Sequence, residues 1–211
     1  MFSFSIFAIP VRVEPFFWLT MVLLGGGLHA RDSIEILSVV IFMLAGFISI
    51  LVHELGHALT IRKFGLPTEI TLHGFGGYAT FPPGRLNRTQ SFLVTAAGPG
   101  LQITLALLLI IVGQFIQIPP TSLLNLLVAN LVMVSIFWAI LNCIPVYPMD
   151  GGQMMASILG PKREHLVYLI SVFVSVLIGL TFFIVFRQPL LPIFMALFAW
   201  QNWQSYQNSI R

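Results

Sequence analysis

The stretch His53-Glu54-Leu55-Gly56-His57 has the residue types and spacing of a metal-dependent hydrolase. Residues four apart lie on one face of a helix, so the imidazoles of His53 and His57 can bind one metal ion. Glu54 points away from that face and is better placed to reach a metal-bound water than the metal itself. Two imidazoles and a carboxylate base suit Zn²⁺, which lowers the pKa of a bound water to about 7. The pattern therefore predicts a zinc hydrolase.

The composition indicates an integral membrane protein. Of 211 residues, 57% are hydrophobic and 8% are charged, whereas soluble domains have roughly 25% charged residues. A charged side chain at the centre of a membrane helix costs roughly 2.5–3.5 kcal/mol, so packing does not explain a glutamate and two histidines in an apolar run. There is no room for a large extramembrane domain, so residues 1–211 are expected to form a single polytopic membrane domain. The single Cys143 excludes an internal disulfide, and the scattered basic residues give no surface for nucleic acid.

Six apolar segments are interpreted as transmembrane helices. The second is longer than the ~30 Å hydrocarbon layer, so its HExxH motif is expected within the last two turns, close to one membrane face. The first is short enough for a signal-peptide core, but Leu28-His29-Ala30 is not a small-x-small cleavage site, which favours a retained helix. The expected spans are residues 15–30, 34–62, 90–115, 122–142, 165–186 and 190–203.

Two segments outside these spans have the pattern of β-strands. Residues 2–9 begin with alternating apolar and polar positions, which predicts a short N-terminal strand. Residues 68–81 have Gly74, Gly76 and Gly77 in the middle, which predicts a β-hairpin or re-entrant loop after the second helix. An open strand edge there could receive an extended peptide. The expected fold class is an all-α membrane protein with six helices, the N-terminal strand and this glycine-rich hairpin.

The basic residues predict the orientation in the membrane. With six spans, both termini lie on one side, together with the loops after the second and fourth spans. The positive-inside rule makes that side cytoplasmic, and the expected location is a prokaryotic cytoplasmic membrane. The same topology brings His53 and Asp150 to one side at similar depth. The other side has only Arg31 and Arg187, whereas the basic residues on the side of the termini are Arg12, Arg62, Lys63, Arg85, Arg88, Lys162, Arg163 and Arg211.

Asp150 is the best candidate for a third zinc ligand, because catalytic zinc usually has three protein ligands and one open position. It follows a proline-rich break after the fourth span, and a carboxylate in a broken helix requires a partner. The alternative for Asp150 is a helix N-cap. His73, in the hairpin, remains open as a contact to metal or substrate. The other residues considered are His29, Cys143, Glu164 and His165.

These motifs resemble the site-2 protease family of intramembrane zinc metalloproteases, over essentially the whole chain. The matching positions are His53-Glu54-x-x-His57, Gly76-Gly77, Ala97-Gly98-Pro99, Asn142-x-x-Pro145, Asp150-Gly151 and the strand-like residues 9–13.

The resemblance implies hydrolysis of a peptide bond within or near the transmembrane segment of a single-span membrane protein, in regulated intramembrane proteolysis. It implies Zn²⁺ held by His53, His57 and Asp150. It also implies that Glu54 activates water and that Asn142 positions or stabilises the reacting carbonyl. The expected partners are that substrate and the lipid bilayer.

The chain departs from the family pattern at two places. The family often has asparagine where Gln102 stands, so no role is transferred to Gln102. The family's proline-aspartate pair is separated here as Pro148-Met149-Asp150. The length also leaves no space for the PDZ or CBS domain of many relatives, so a minimal core is expected.

Two other functions remain as alternatives. Prenyl-protein proteases also use HExxH, but their third ligand is a downstream glutamate, and here that residue is Glu164, beside basic residues. A non-proteolytic zinc-binding membrane regulator or transporter is the second alternative. A transporter is expected to have polar residues along several spans, whereas the last two spans are almost wholly apolar.

Overall fold

The computed structural model describes residues 1–116, 118–187 and 190–210. Most of these residues lie in helices. Arg211, one of the basic residues that we used to predict the orientation, lies outside the described residues. In chain order the elements are β1 (Phe2–Ile6), β2 (Ile9–Val13), α1 (Pro15–Leu24), α2 (Ser33–Lys63), β3 (Glu69–His73), β4 (Gly76–Thr80), α3 (Arg88–Phe115), α4 (Leu123–Asn142), α5 (Asp150–Leu159), α6 (Glu164–Phe186) and α7 (Leu190–Ser209).

Four of the described helices, α2, α3, α4 and α6, are long and apolar enough to cross a membrane. The expected count of six is not confirmed. Helix α1 has 10 residues, which span about 15 Å, half of the ~30 Å hydrocarbon layer. Helix α7 has 20 residues, but residues 201–209 are mostly Gln, Asn and Ser. The chain is therefore a mostly helical membrane protein with four membrane-capable helices.

The four strands form one sheet in the order β1-β2-β3-β4. The outer pairs, β1–β2 and β3–β4, are antiparallel hairpins, and β2 pairs in parallel with β3 through partners such as Val11 and Ile70. The glycine-rich hairpin is thus present. The prediction of a single N-terminal strand is wrong in number, because the chain reverses at Phe7 and Ala8, both with positive φ. That turn has none of the glycine or asparagine that usually marks a two-residue hairpin.

The described residues divide into two compact units, which comprise 1–85 with 97–140, and 86–96 with 141–211. In the first unit, the sheet and α1 pack against the middle of α2. Alternate residues of β2 are buried, as expected for a strand with one covered face. The largest buried side chains of this core are Ile9, Val11, Val13, Phe17, Ile50, Ile70 and Leu72. This packing fixes the central turns of α2 against the β3–β4 hairpin.

In the second unit, α5 is held at its C-terminal end by Arg88. The guanidinium group donates to the carbonyl of Ser157 at 2.9 Å and to that of Ile158. A cation at a helix C-terminus is favourable because the last carbonyls carry partial negative charge. Helix α5 ends at Leu159, and Gly160 is its C-cap residue. The cap therefore fixes the end of α5 that lies opposite Asp150.

Candidate metal centre

The HExxH motif lies on α2 and is buried. His53, Glu54 and His57 are respectively 2%, 3% and 9% exposed, and the predicted helical spacing is confirmed. The two imidazole Nε2 atoms are 3.1 Å apart. Two nitrogen ligands at about 2.0–2.1 Å from a tetrahedral zinc would be roughly 3.3 Å apart. The rings therefore converge at the distance that one shared metal ion requires.

Helix α3 packs closely against the two imidazoles at a glycine, Gly98. A Cβ atom added to Gly98 would lie 2.3 Å from Nε2 of His57 and 3.0 Å from Nε2 of His53. A Cβ atom on Gly56 would lie 2.3 Å from the carbonyl oxygen of Ala97. The small residues of α3 thus allow a close contact with α2. Pro99 lies inside α3, which continues through it to Phe115.

Glu54 faces the hairpin rather than α3. A Cβ atom added to Gly77 of β4 would lie 2.6 Å from Cγ of Glu54 and 2.8 Å from its Oε1. The neighbouring Gly76 has a φ of +122° and packs against Trp138, so a side chain there would be strained and crowded. The glycine pair therefore allows β4 to lie directly on the carboxylate of Glu54.

Gln102 is a residue of this region for which we predicted no role from the sequence. It is fully buried on α3, and its Oε1 lies 2.9 Å from Nδ1 of His53. One signal was available, because Gln102 is one helical turn after Gly98 and is polar within an apolar span. The missing information was the pairing of two residues 49 positions apart in the chain.

In the second unit, Asp150 is the first residue of α5 and is 7% exposed. The N-cap residue is Met149, not Asp150, so the N-cap alternative for Asp150 is wrong. Gly151 and Gly152 let α5 begin tightly against the preceding loop. A Cβ atom on Gly151 would lie 2.3 Å from the carbonyl oxygens of Cys143 and Ile144. The position of Asp150 is therefore set by this close packing.

The loop before Asp150 is also held by α6 and α7. The backbone N–H of Tyr147 donates to Oγ of Ser171 at 3.0 Å. Nδ2 of Asn202 donates to the carbonyl oxygen of Tyr147 at 2.5 Å. Ser171 and Asn202 are both buried. Side chains from two helices thus support the segment that carries the carboxylate.

The three predicted ligands, His53 and His57 in the first unit and Asp150 in the second, are all buried. Two imidazoles and one carboxylate are a donor set that zinc commonly uses in catalytic sites, where a fourth position stays open. The residues present therefore fit the predicted cofactor. Asn142 is the last residue of α4, and its contribution to catalysis stays a prediction.

Other polar residues have different surroundings. Nδ1 of His73 accepts a hydrogen bond from the backbone N–H of Phe75 at 3.3 Å, and its ring packs against Tyr78. Burial lowers the pKa of His73, and the nearby Glu14 partly opposes this change. Glu164 accepts a hydrogen bond from Tyr168 at 2.5 Å. Among the described residues, neither His73 nor Glu164 belongs to the metal-binding group.

Comparison with known proteins agrees with this arrangement. The model of peptidase family M50 matches residues 41–122, which include the HExxH motif and Gly98. The zinc metalloprotease MJ0392 of Methanocaldococcus jannaschii is 31% identical over 172 residues, which cover 77% of this chain and 46% of that protein. The putative zinc metalloprotease sll0528 of Synechocystis is 34% identical over 164 residues, which cover 73% of this chain and 42% of that protein.

A solved structure extends the similarity to almost the whole chain. The site-2 protease from Methanocaldococcus jannaschii superposes with a TM-score of 0.66 and 25% sequence identity, covering 97% of this chain and 95% of that one. The resemblance to the site-2 protease family is confirmed. The chain spans less than half the length of the two curated relatives described above.

Proposed function

We propose that this chain is an intramembrane zinc metalloprotease that cleaves a peptide bond within or near the transmembrane segment of a single-span membrane protein. The observation that carries the proposal is the convergence of two buried imidazoles, 3.1 Å apart at Nε2, beside the buried Glu54. Similarity to the site-2 protease family supports proteolysis as the reaction. The proposal treats residues 1–211 as one polytopic protease domain that acts in regulated intramembrane proteolysis.

His53, His57 and Asp150 are the proposed zinc ligands. When bound, zinc polarises a carbonyl oxygen and lowers the pKa of water to about 7. Three protein ligands would leave a fourth position for water or substrate. Their burial excludes bulk water and so strengthens the electrostatic interactions within the site.

Glu54 is the proposed general base and acid. Its carboxylate takes a proton from the attacking water and passes a proton to the leaving amine as the C–N bond breaks. Asn142 donates a hydrogen bond to the carbonyl oxygen as negative charge develops there. The position of Glu54 against β4, and not among the imidazoles, supports a role in proton transfer rather than in metal binding.

The outer edge of β4 is the proposed site where the substrate binds as an extended strand. Among the described residues, β4 is the last strand of the sheet and pairs with β3 alone. Gly77 of β4 contacts Glu54. A peptide added to β4 by main-chain hydrogen bonds would thus run beside the proton-transfer group. A helical substrate must unwind first, because a helix already uses its backbone N–H and C=O groups internally.

The proposed topology has six membrane-embedded segments, with α1 and α7 added to the four membrane-capable helices. Helix α7 packs closely on α6, since a Cβ atom on Gly179 would lie 3.2 Å from Cβ of Met195. We propose that both termini and the active-site end face the cytoplasm of a prokaryotic cell. Single cysteines placed at Arg12 and Arg187 in a Cys143→Ser background test this topology. A membrane-impermeant thiol reagent should reach them from opposite sides of the membrane, and labelling from one side would contradict it.

The decisive experiment measures cleavage by purified protein in lipid vesicles. A panel of fluorescently tagged single-span membrane proteins is incubated with the protein, with the protein plus a zinc chelator, and with chelator followed by added zinc. We expect cleavage of at least one substrate that the chelator abolishes and zinc restores. Cleavage that is insensitive to the chelator would overturn the proposal, and so would zinc binding without cleavage of any substrate in the panel.

A further inference from the structure

A chain of buried polar side chains joins three helices to His53. Oγ of Ser135 on α4 lies 2.9 Å from Oγ of Ser49 on α2, and Nε2 of Gln102 on α3 lies 2.8 Å from the same Ser49 oxygen. Oε1 of Gln102 then lies 2.9 Å from Nδ1 of His53. Ser49, Gln102 and Ser135 are fully buried. Since an unsatisfied buried polar group costs about 1–3 kcal/mol, each of these contacts constrains the next.

The backbone carbonyl group of Ser49 determines how the side-chain amide of Gln102 is oriented, and so which groups donate in this chain of hydrogen bonds. Nε2 of Gln102 lies 3.3 Å from the carbonyl oxygen of Ser49, as well as 2.8 Å from its hydroxyl oxygen. A carbonyl oxygen only accepts, so the amide NH₂ group must face Ser49. The opposite amide orientation would place two carbonyl oxygens against each other. Oε1 of Gln102 therefore faces His53, and Nδ1 of His53 must be the protonated donor.

This direction sets which nitrogen of His53 can bind a metal. A neutral imidazole with its proton on Nδ1 has its lone pair on Nε2. Nε2 of His53 is the atom that lies 3.1 Å from Nε2 of His57. Metal-bound histidines usually donate their other N–H to a carboxylate, a carbonyl or water, which fixes ring orientation and tautomer. The amide oxygen of Gln102 is in the position of such an acceptor.

We propose that Gln102 is a positioning residue that holds His53 in the Nδ1–H tautomer and so directs its Nε2 lone pair to the metal. The inference rests on the proposed function, in which His53 is a zinc ligand. Ser49 supports Gln102 by accepting from its NH₂ group through two oxygens. Gln102 touches neither metal nor substrate in this account and acts through His53.

The first measurement reads the tautomer directly in zinc-free wild-type protein. Histidine labelled with ¹⁵N distinguishes protonated from unprotonated ring nitrogens by NMR, and the His53 signals are assigned by their loss in His53→Gln. We expect a protonated Nδ1 and an unprotonated Nε2. A His53 that carries its proton on Nε2 would overturn the inference. This measurement needs no substitution at position 102, so it does not depend on how a variant folds.

The second measurement compares zinc affinities by competition with a chelator. Gln102→Met keeps the length and removes the acceptor, so we expect zinc affinity to fall about 10–100-fold, the usual effect of losing such a partner. Gln102→Glu keeps the length and the acceptor, and as the neutral acid it also keeps a donor toward Ser49, so we expect an affinity within a few-fold of wild type. Gln114→Met, on the exposed part of the same helix, is the matched control and should not change the affinity.

Two patterns would contradict the role of Gln102. One is wild-type zinc affinity in Gln102→Met, and the other is an equal loss in the Met and Glu variants, which would indicate a packing role alone. These results are separable from failure of the proposed function. If the wild-type protein has the expected tautomer and zinc affinity but cleaves no substrate, then proteolysis is wrong and the role of Gln102 stands.

Discussion

The proposed metal ligands and the proposed proton-transfer group lie on different sides of one helical turn. His53 and His57 face α3 at Gly98, whereas the adjacent Glu54 faces β4 at Gly77. The two tasks can therefore be separated by single substitutions. The HExxH spacing predicted both directions, because residues one apart on a helix do not share a face. It did not predict Gln102, whose role depends on a contact between two different helices.

Glu54→Gln should abolish cleavage while zinc remains bound. The amide keeps the shape of the side chain but cannot take a proton from water at neutral pH. Metal analysis of the purified variant and the vesicle cleavage assay check the two halves of this prediction. Cleavage by Glu54→Gln at the wild-type rate would remove Glu54 from the mechanism. His53→Ala provides the contrast, because it should lose zinc and activity together.

Gly98→Ala should prevent zinc binding. The added methyl group would lie 2.3 Å from Nε2 of His57, in the space between the imidazoles and α3. Gly100→Ala is a matched control on the same helix, since a Cβ atom there has nothing within 4 Å. We expect at least a hundredfold weaker zinc affinity in the first variant and no change in the second. Equal affinities, measured by chelator competition, would show that α3 has room to move away.

At the level of elements, the helix bounds were predicted better than the pairing of strands that are distant in the chain. The bounds of α2, α3, α4 and α6 lie within a few residues of the predicted spans, because long apolar runs and their flanking Gly or Pro residues are local features. The parallel pairing of β2 with β3 joins segments almost 60 residues apart. No short-range pattern encodes such a pair. The length of α1 was overestimated because Gly25, Gly26 and Gly27 end it early.

The β3–β4 hairpin offers a prediction of its own at this scale. Gly77→Ala would place a methyl group 2.6 Å from Cγ of Glu54 and displace either the carboxylate or the strand. We expect kcat to fall at least tenfold while zinc stays bound. Gly113→Ala, at a site with nothing within 4 Å of the added Cβ, is the control. Loss of zinc from Gly77→Ala would instead mean that the hairpin supports the imidazoles.

At the scale of the whole molecule, α7 supports the site from a distance in sequence. From the sequence we predicted this helix only as the sixth apolar span, and its link to the loop before Asp150 was not predictable. Asn202 makes that link through Tyr147. Asn202 lies in a stretch rich in Gln, Asn and Ser, so the sequence does not distinguish it from its exposed neighbours.

Asn202→Leu should therefore weaken both stability and zinc binding. The substitution leaves the carbonyl of Tyr147 without its donor, a loss of about 1–3 kcal/mol for a buried group. Asn208→Leu, exposed on the same helix, is the matched control. Thermal unfolding in detergent should show a lower Tm for the first variant alone. An unchanged Tm and zinc affinity in Asn202→Leu would show that α7 does not hold the loop.

The parallel pairing of β2 with β3 limits where a substrate peptide can add to the sheet. The N-terminal hairpin covers one side of β3, so the described sheet ends at β1 on one side and at β4, the proposed docking edge, on the other. Three strand spacings, roughly 14 Å, separate β1 from β4, whereas Gly77 of β4 lies against Glu54. A peptide that paired with β1 would therefore remain far from the proposed proton-transfer group. Productive pairing is thus expected at one edge of the sheet, because the N-terminal hairpin keeps the other edge remote.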